Sequence, residues 1–106
     1  MVTLKQFDVF SNPRRERRLH YPYLVVLQSD LMPNLHTRVV APLIPVTTIP
    51  GWGKLMPEVE VEGRALVINM PDLGAMPVSV MLAPVANLEK YRYQIIRAID
   101  LVFSGI

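Results

Sequence analysis

Apolar and polar residues alternate with a period of two in two stretches of this chain, residues 6–10 and 58–62, and a period near 3.6 sets in after Pro84. The span 6–10 alternates, and the span 21–28 is rich in aromatic and β-branched residues, so both read as strands. Between them Ser11-Asn12-Pro13 is turn chemistry, followed by Arg14-Arg15-Glu16-Arg17-Arg18. This predicts a polar loop that joins an antiparallel pair and carries its charges at an exposed tip. Residues 37–43 predict another strand, approached through a Pro33-Asn34 turn. Glu and Val alternate strictly over 58–62, and Gly63-Arg64 separates them from the apolar run 65–68. That is the pattern of a hairpin with one wet and one buried face, its second strand central in a sheet. The prolines and glycines around Trp52 predict a loop over 45–54, a second loop is expected over 71–77, and a short last strand over 78–82.

The 3.6-residue period places Leu88, Tyr91, Ile95, Ile99, Val102 and Ile106 on one stripe, with Lys90, Arg92 and Arg97 outside it. An amphipathic helix follows, with Asn87 as its N-cap and Gly105 as its stop signal. Its apolar ending must be docked on its own domain or offered to a partner.

With 106 residues, 51% of them hydrophobic and 19% charged, the chain is too apolar for disorder and large enough for one core, so a single domain over 1–106 is expected. A domain this small cannot hide all of its Val, Leu, Ile and Met, and a homodimer or a protein-binding patch is the physical expectation. The absence of cysteine excludes a disulfide framework, a thiolate metal site and a Cys nucleophile. No apolar stretch approaches the roughly 20 residues of a membrane span and no secretion signal stands at the start, which points to the cytoplasm and away from a membrane. A net charge of +2 is far from a nucleic-acid-binding signature.

Little here resembles a reaction centre. His20 and His36 have no second ligand at metal spacing, and no glycine loop leads into a helix to cradle phosphate, so neither a metal nor a cofactor is expected. His20, Arg38 and Asp30 supply the residue types of a ribonuclease, a base with a cation to steady phosphate, but nearly any chain contains them. The arginines of residues 14–18 suit a solvated loop or an acidic protein segment better than nucleic acid, which would call for interleaved aromatics. Trp52 suits an interaction anchor or a core cap equally, and Leu31-Met32 at a turn a core plug or a binding patch.

Five stretches taken together carry a resemblance: Gln6-Phe7; Val26-Leu27-Gln28-Ser29-Asp30; Arg38-Val39-Val40-Ala41-Pro42-Leu43; Met76-Pro77-Val78-Ser79-Val80; and the closing Ala98-Ile99-Asp100-Leu101-Val102-Phe103-Ser104-Gly105-Ile106. In order and spacing the chain resembles the CcdB toxins of toxin–antitoxin modules. The resemblance implies an α+β fold shared with the Kid and MazF toxins: a small twisted, barrel-like antiparallel sheet, a smaller three-stranded sheet and a C-terminal helix, assembled as a homodimer. It implies no covalent chemistry and no cofactor. The target would be the A subunit of DNA gyrase, trapped with its DNA cleaved. A CcdA-like antitoxin with an acidic, disordered segment would wrap the toxin, and operator DNA would be reached only through that antitoxin, in co-repression of the operon. Carried over by position, the gyrase-facing residues are Leu31, Met32, Asp100, Phe103, Ser104, Gly105 and Ile106. Family members commonly have Trp where Ser104 stands and Asn where Asp100 stands, and a Trp is the residue type that dominates interfaces. The alternatives are an endoribonuclease of the Kid and MazF type, or a non-toxic member that retains antitoxin binding.

Overall fold

The structure, a computed structural model, describes residues 3–32, 34–46 and 53–105. Trp52, most of the loop expected over 45–54, and the terminal Ile106 lie outside the described residues. Among the described residues seven strands form one antiparallel sheet: β1 (Asp8–Ser11), β2 (Tyr23–Val26), β3 (Thr37–Pro45), β4 (Glu58–Val61), β5 (Arg64–Ile68), β6 (Gly74–Pro77) and β7 (Pro84–Asn87). One helix, α1 (Arg92–Ser104), follows. This is the α+β arrangement expected, a curled sheet closed on one side by a C-terminal helix.

β3 is the spine. It pairs along one edge with β2, while its other edge takes β6 against residues 37–40 and β5 against residues 43–45. The larger sheet therefore runs β6-β3-β2-β1-β7, and β4-β5-β3 is the smaller three-stranded branch, continuous with it. Pro42 sits in the middle of this central strand, where a missing N–H normally breaks a ladder. It is tolerated because its carbonyl faces the β5 side, accepting from the Asn69 amide at 2.8 Å, so its nitrogen faces the gap where β6 has ended and β5 begins.

Both faces of the sheet are covered, which is why every residue of β2 is buried. On one face Val9, Val25, Ala41, Leu43, Leu66 and Ile68 pack beneath Ile95 and Ala98 of α1, both fully buried. On the other, Leu4, Phe10, Leu24, Val26 and Val40 are covered by Met81, with Met76 and Val78 beside it. Burying these apolar side chains supplies the main driving force, since the described chain has no disulfide and few ion pairs. No helix among the described residues is long and apolar enough to cross a membrane.

Four local expectations need correction. The hairpin turns at Glu62-Gly63, not Gly63-Arg64: Val61 pairs with Arg64, and the two turn residues take φ 51° and 80°. Such a two-residue turn needs left-handed backbone at both positions, which Gly63 provides freely and Glu62 with strain. The loop expected over 71–77 is instead a 3-10 turn, Met70–Asp72, and then strand β6; an edge position on β3 overrides the weak strand propensity of Gly, Ala and Pro. The strand expected over 78–82 is a 3-10 turn, Val78–Val80, closed by the Met81 amide on the Val78 carbonyl. The last strand is β7, which lies against β1 and opens with Pro84, at a strand's first position where no donor is required.

Candidate functional site

The predicted contact residues fall into two groups. At the end of α1, Asp100, Phe103, Ser104 and Gly105 are all exposed, Phe103 at 73%. The helix is amphipathic as its period predicts, with Ile95 and Ala98 inside and Ile96, Ile99 and Val102 packed against the same core. Asn87 is not the N-cap expected: its Oδ1 accepts from the Glu89 amide at 2.8 Å ahead of a 3-10 turn, Glu89–Tyr91, and the N-cap position of α1 is Tyr91, without a side-chain cap bond, because that turn intervenes. Gly105 ends it in the left-handed conformation (φ 72°), donating to the Leu101 carbonyl at 3.0 Å. Ser104 turns its hydroxyl back on the Asp100 carbonyl, 2.6 Å away, where an indole would project outward.

The second group is the turn after β2. Leu31 is 90% exposed and Met32 54%, so both are surface residues and the core-plug reading is excluded. The two groups are not adjacent in one chain. The start of α1 lies near the N-terminal segment, Arg92 resting over the Phe7 ring at 5.4 Å, and Gln6 in turn meets the turn at Asp30. The other end of α1 lies by Leu55 and Pro71, which with Leu101 and Val102 line an apolar hollow of about 380 Å³. Thirteen helical residues span roughly 20 Å, which sets the scale of the separation.

Around the turn the scattered sequence motifs become one polar cluster. The Arg38 Nη1 donates to the Leu4 carbonyl at 2.7 Å, and its Nη2 to the Gln28 carbonyl at 2.9 Å and to Asp30 Oδ1 at 3.2 Å. Asp30 Oδ1 also accepts from the Gln6 amide at 2.9 Å, and the Gln6 side chain donates to the Leu27 carbonyl at 3.0 Å. Gln28 Oε1 accepts from the Val39 amide at 3.0 Å, and Ser29 Oγ from the Leu31 amide at 3.0 Å. Met76 and Pro77 lie opposite Arg38 and Thr37 across the β3–β6 ladder. Sequence reasoning saw these residues separately; each has one short-range sign, but their meeting depends on strand pairing.

The ribonuclease set does not assemble. Arg38 and Asp30 form an ion pair, with Asp30 bound to the chain itself, but His20 lies beyond the opposite end of β2, whose four residues alone span roughly 10 Å. The arginine loop is a separate feature. Asn12 closes it, accepting from the Arg14 amide and donating to the Tyr21 carbonyl, while Arg18 Nε donates to the Asn12 carbonyl at 2.6 Å. Arg14 and Arg17 remain exposed at the rim of an open cavity of about 440 Å³, whose floor is Leu24, Val40, Pro42 and Met76.

These features define a class of protein: a small α+β domain, its curled antiparallel sheet covered by one C-terminal helix, with exposed apolar points and a groove lined by Arg14, Arg17 and Asp72 over an apolar floor. The family model described as CcdB protein matches residues 6–105, and the chain belongs to the CcdB family. It is accordingly a toxin of a toxin–antitoxin module.

Proposed function

We propose that this toxin binds the A subunit of DNA gyrase and traps the enzyme with its DNA cleaved. The observation that carries the reading is the exposed end of α1: an aromatic, Phe103, held out on a helix that is docked by Ile95 and Ala98 and stopped by Gly105, within a chain that matches its family over residues 6–105. Leu31 and Met32 offer a second apolar contact. The contact residues are Leu31, Met32, Asp100, Phe103, Ser104, Gly105 and Ile106, the last on sequence grounds alone.

The protein works in the cytoplasm as a homodimer, which would cover apolar side chains too exposed for a lone domain of this size, Val80, Val85 and Tyr93 among them. A CcdA-like antitoxin is the second partner. Its acidic, disordered segment suits the groove rimmed by Arg14 and Arg17, where an apolar floor accepts side chains and guanidinium groups pair with carboxylates. Operator DNA is then engaged through the antitoxin.

Expressed alone in a gyrase-sensitive bacterium, the chain should arrest growth, and with purified gyrase it should accumulate double-strand breaks. Neither arrest nor a cleavage complex would overturn the reading, and RNA cleavage without gyrase would favour an endoribonuclease instead. Deleting Gly105 and Ile106 should abolish killing with the fold largely retained, because the buried stripe through Val102 remains. Ser104→Trp should increase recovery of gyrase A in a pull-down.

A further inference from the structure

Leu31 has no packing reason to hold its place, since 90% of it is exposed, yet the turn that bears it is among the most heavily bonded surface segments of the chain. The bonds converge on Arg38. Its side chain is only 13% exposed, and it grips three acceptors from two separate segments: the Leu4 carbonyl, the Gln28 carbonyl and the Asp30 carboxylate. Its Nε is buried with no partner among the described residues. Enclosing a charge and leaving one N–H unpaired both cost free energy, and an apolar side chain of similar volume often serves stability as well or better. The guanidinium fork provides what an apolar residue cannot, which is fixed direction at several points at once.

We propose that Arg38 is a positioning residue for partner binding: it locks the N-terminal segment and the 28–32 turn into one unit, so that Leu31 and Met32 are presented to gyrase in a set geometry by a side chain that is itself enclosed. The role rests on the gyrase reading above. Gln28 completes the lock from the other side, with its Oε1 on the Val39 amide and its Nε2 3.6 Å from the Met32 sulfur.

The test is a double-mutant cycle between Arg38→Met and the pair Leu31→Ala, Met32→Ala, read as affinity for purified gyrase A subunit. Arg38→Met should weaken binding about tenfold in the unmodified chain and hardly at all once Leu31 and Met32 are alanine. A brace for the fold alone would weaken both backgrounds equally, and that additive result would overturn the proposal. If Arg38→Met does not fold, Arg38→Lys decides in its place: it keeps the charge without the fork, and unchanged affinity would sink the idea. Amide exchange read by NMR on the same proteins gives a measure independent of gyrase. The Leu31 amide should exchange faster in Arg38→Lys while those of β2 do not, and uniform change or none would refute the positioning role. Failure of the unmodified chain to bind gyrase A would remove the gyrase reading, and the role of Arg38 toward gyrase with it, whatever the exchange result.

Discussion

The turn at residues 28–32 and the tip of α1 both hold apolar side chains in water, and they are held there by opposite means. The tip relies on neighbours in sequence: the Gly105 amide reaches the Leu101 carbonyl, Ser104 reaches Asp100, and the stripe from Ile95 to Val102 docks the whole helix. The turn relies on residues far away along the chain, with Gln6 24 positions from Asp30 and Leu4 34 positions from Arg38. A contact point can thus be made rigid by one element's own periodicity or by bonds that exist only once the sheet has formed. The first is steady whenever the helix is docked; the second depends on several strands at once.

Ile95→Ala should break the comparison hardest on the side of the tip. Truncating this fully buried residue should cost about 3 kcal/mol and lower the melting temperature by roughly 15 °C. Below the transition, amides near Gly105 should exchange faster while the Leu31 amide does not. Asp30→Ala is the counterpart at the turn. It leaves the Gln6 amide without its acceptor and takes from Arg38 Nη2 one of its two, the Gln28 carbonyl remaining, and it should cost about 1.5 kcal/mol by chemical denaturation, with enhanced exchange at Gln6 and Leu31 and none at the tip.

Tyr23→Phe serves as a control at the far end of the sheet. The Tyr23 hydroxyl donates to Glu62 Oε1 at 2.6 Å, and that bond, with burial and the Glu62 charge, raises the phenol's pKa above its ordinary value against the opposing pull of Arg64. The folded protein therefore holds this proton more tightly than the unfolded chain. The stabilisation is complete below about pH 10 and is lost as pH rises through the higher folded value. Tyr23→Phe should remove about 1 kcal/mol at neutral pH, flatten the alkaline loss of stability, and leave exchange at both contact points unchanged. Ser104→Ala should do least, a few tenths of a kcal/mol in melting experiments, because its bond is local, exposed and made to a carbonyl already within the helix.

The same contrast accounts for what the sequence disclosed. The helix and its Gly105 stop were legible because each is written within a few residues; its start was not, since Asn87 bonds the Glu89 amide ahead of a 3-10 turn and Tyr91, with no side-chain bond, holds the N-cap of α1. Five strands were legible for the same reason, from alternation or β-branched runs. β6 was not, because Gly74, Ala75 and Pro77 favour a loop until the edge of β3 is offered to them. Val78-Ser79-Val80 misled in the other direction: its strand-like residues close into a 3-10 turn, the Met81 amide on the Val78 carbonyl. Of the site, the exposed tip could be read from period and cap. The lock around Arg38 could not, since Gln6, Gln28, Asp30 and Arg38 show their relation only when β3 lies beside β2 and the N-terminal segment has turned at Phe7, which holds a positive φ of 70° in the core.

β3 touches three other strands, and β1 waits for β7, where Asp8 bonds to Asn87 across 79 positions. Contacts of such separation must bear the cost of closing long loops before they gain any stability, so this chain should fold in milliseconds to seconds rather than microseconds. During synthesis β1 and β2 can pair early, but β1 stays an open edge until residue 87 has emerged. The turn that carries Leu31 likewise cannot be set until Thr37–Pro45 has been laid down beside it. A toxin built this way becomes competent late, as a whole, and not piece by piece.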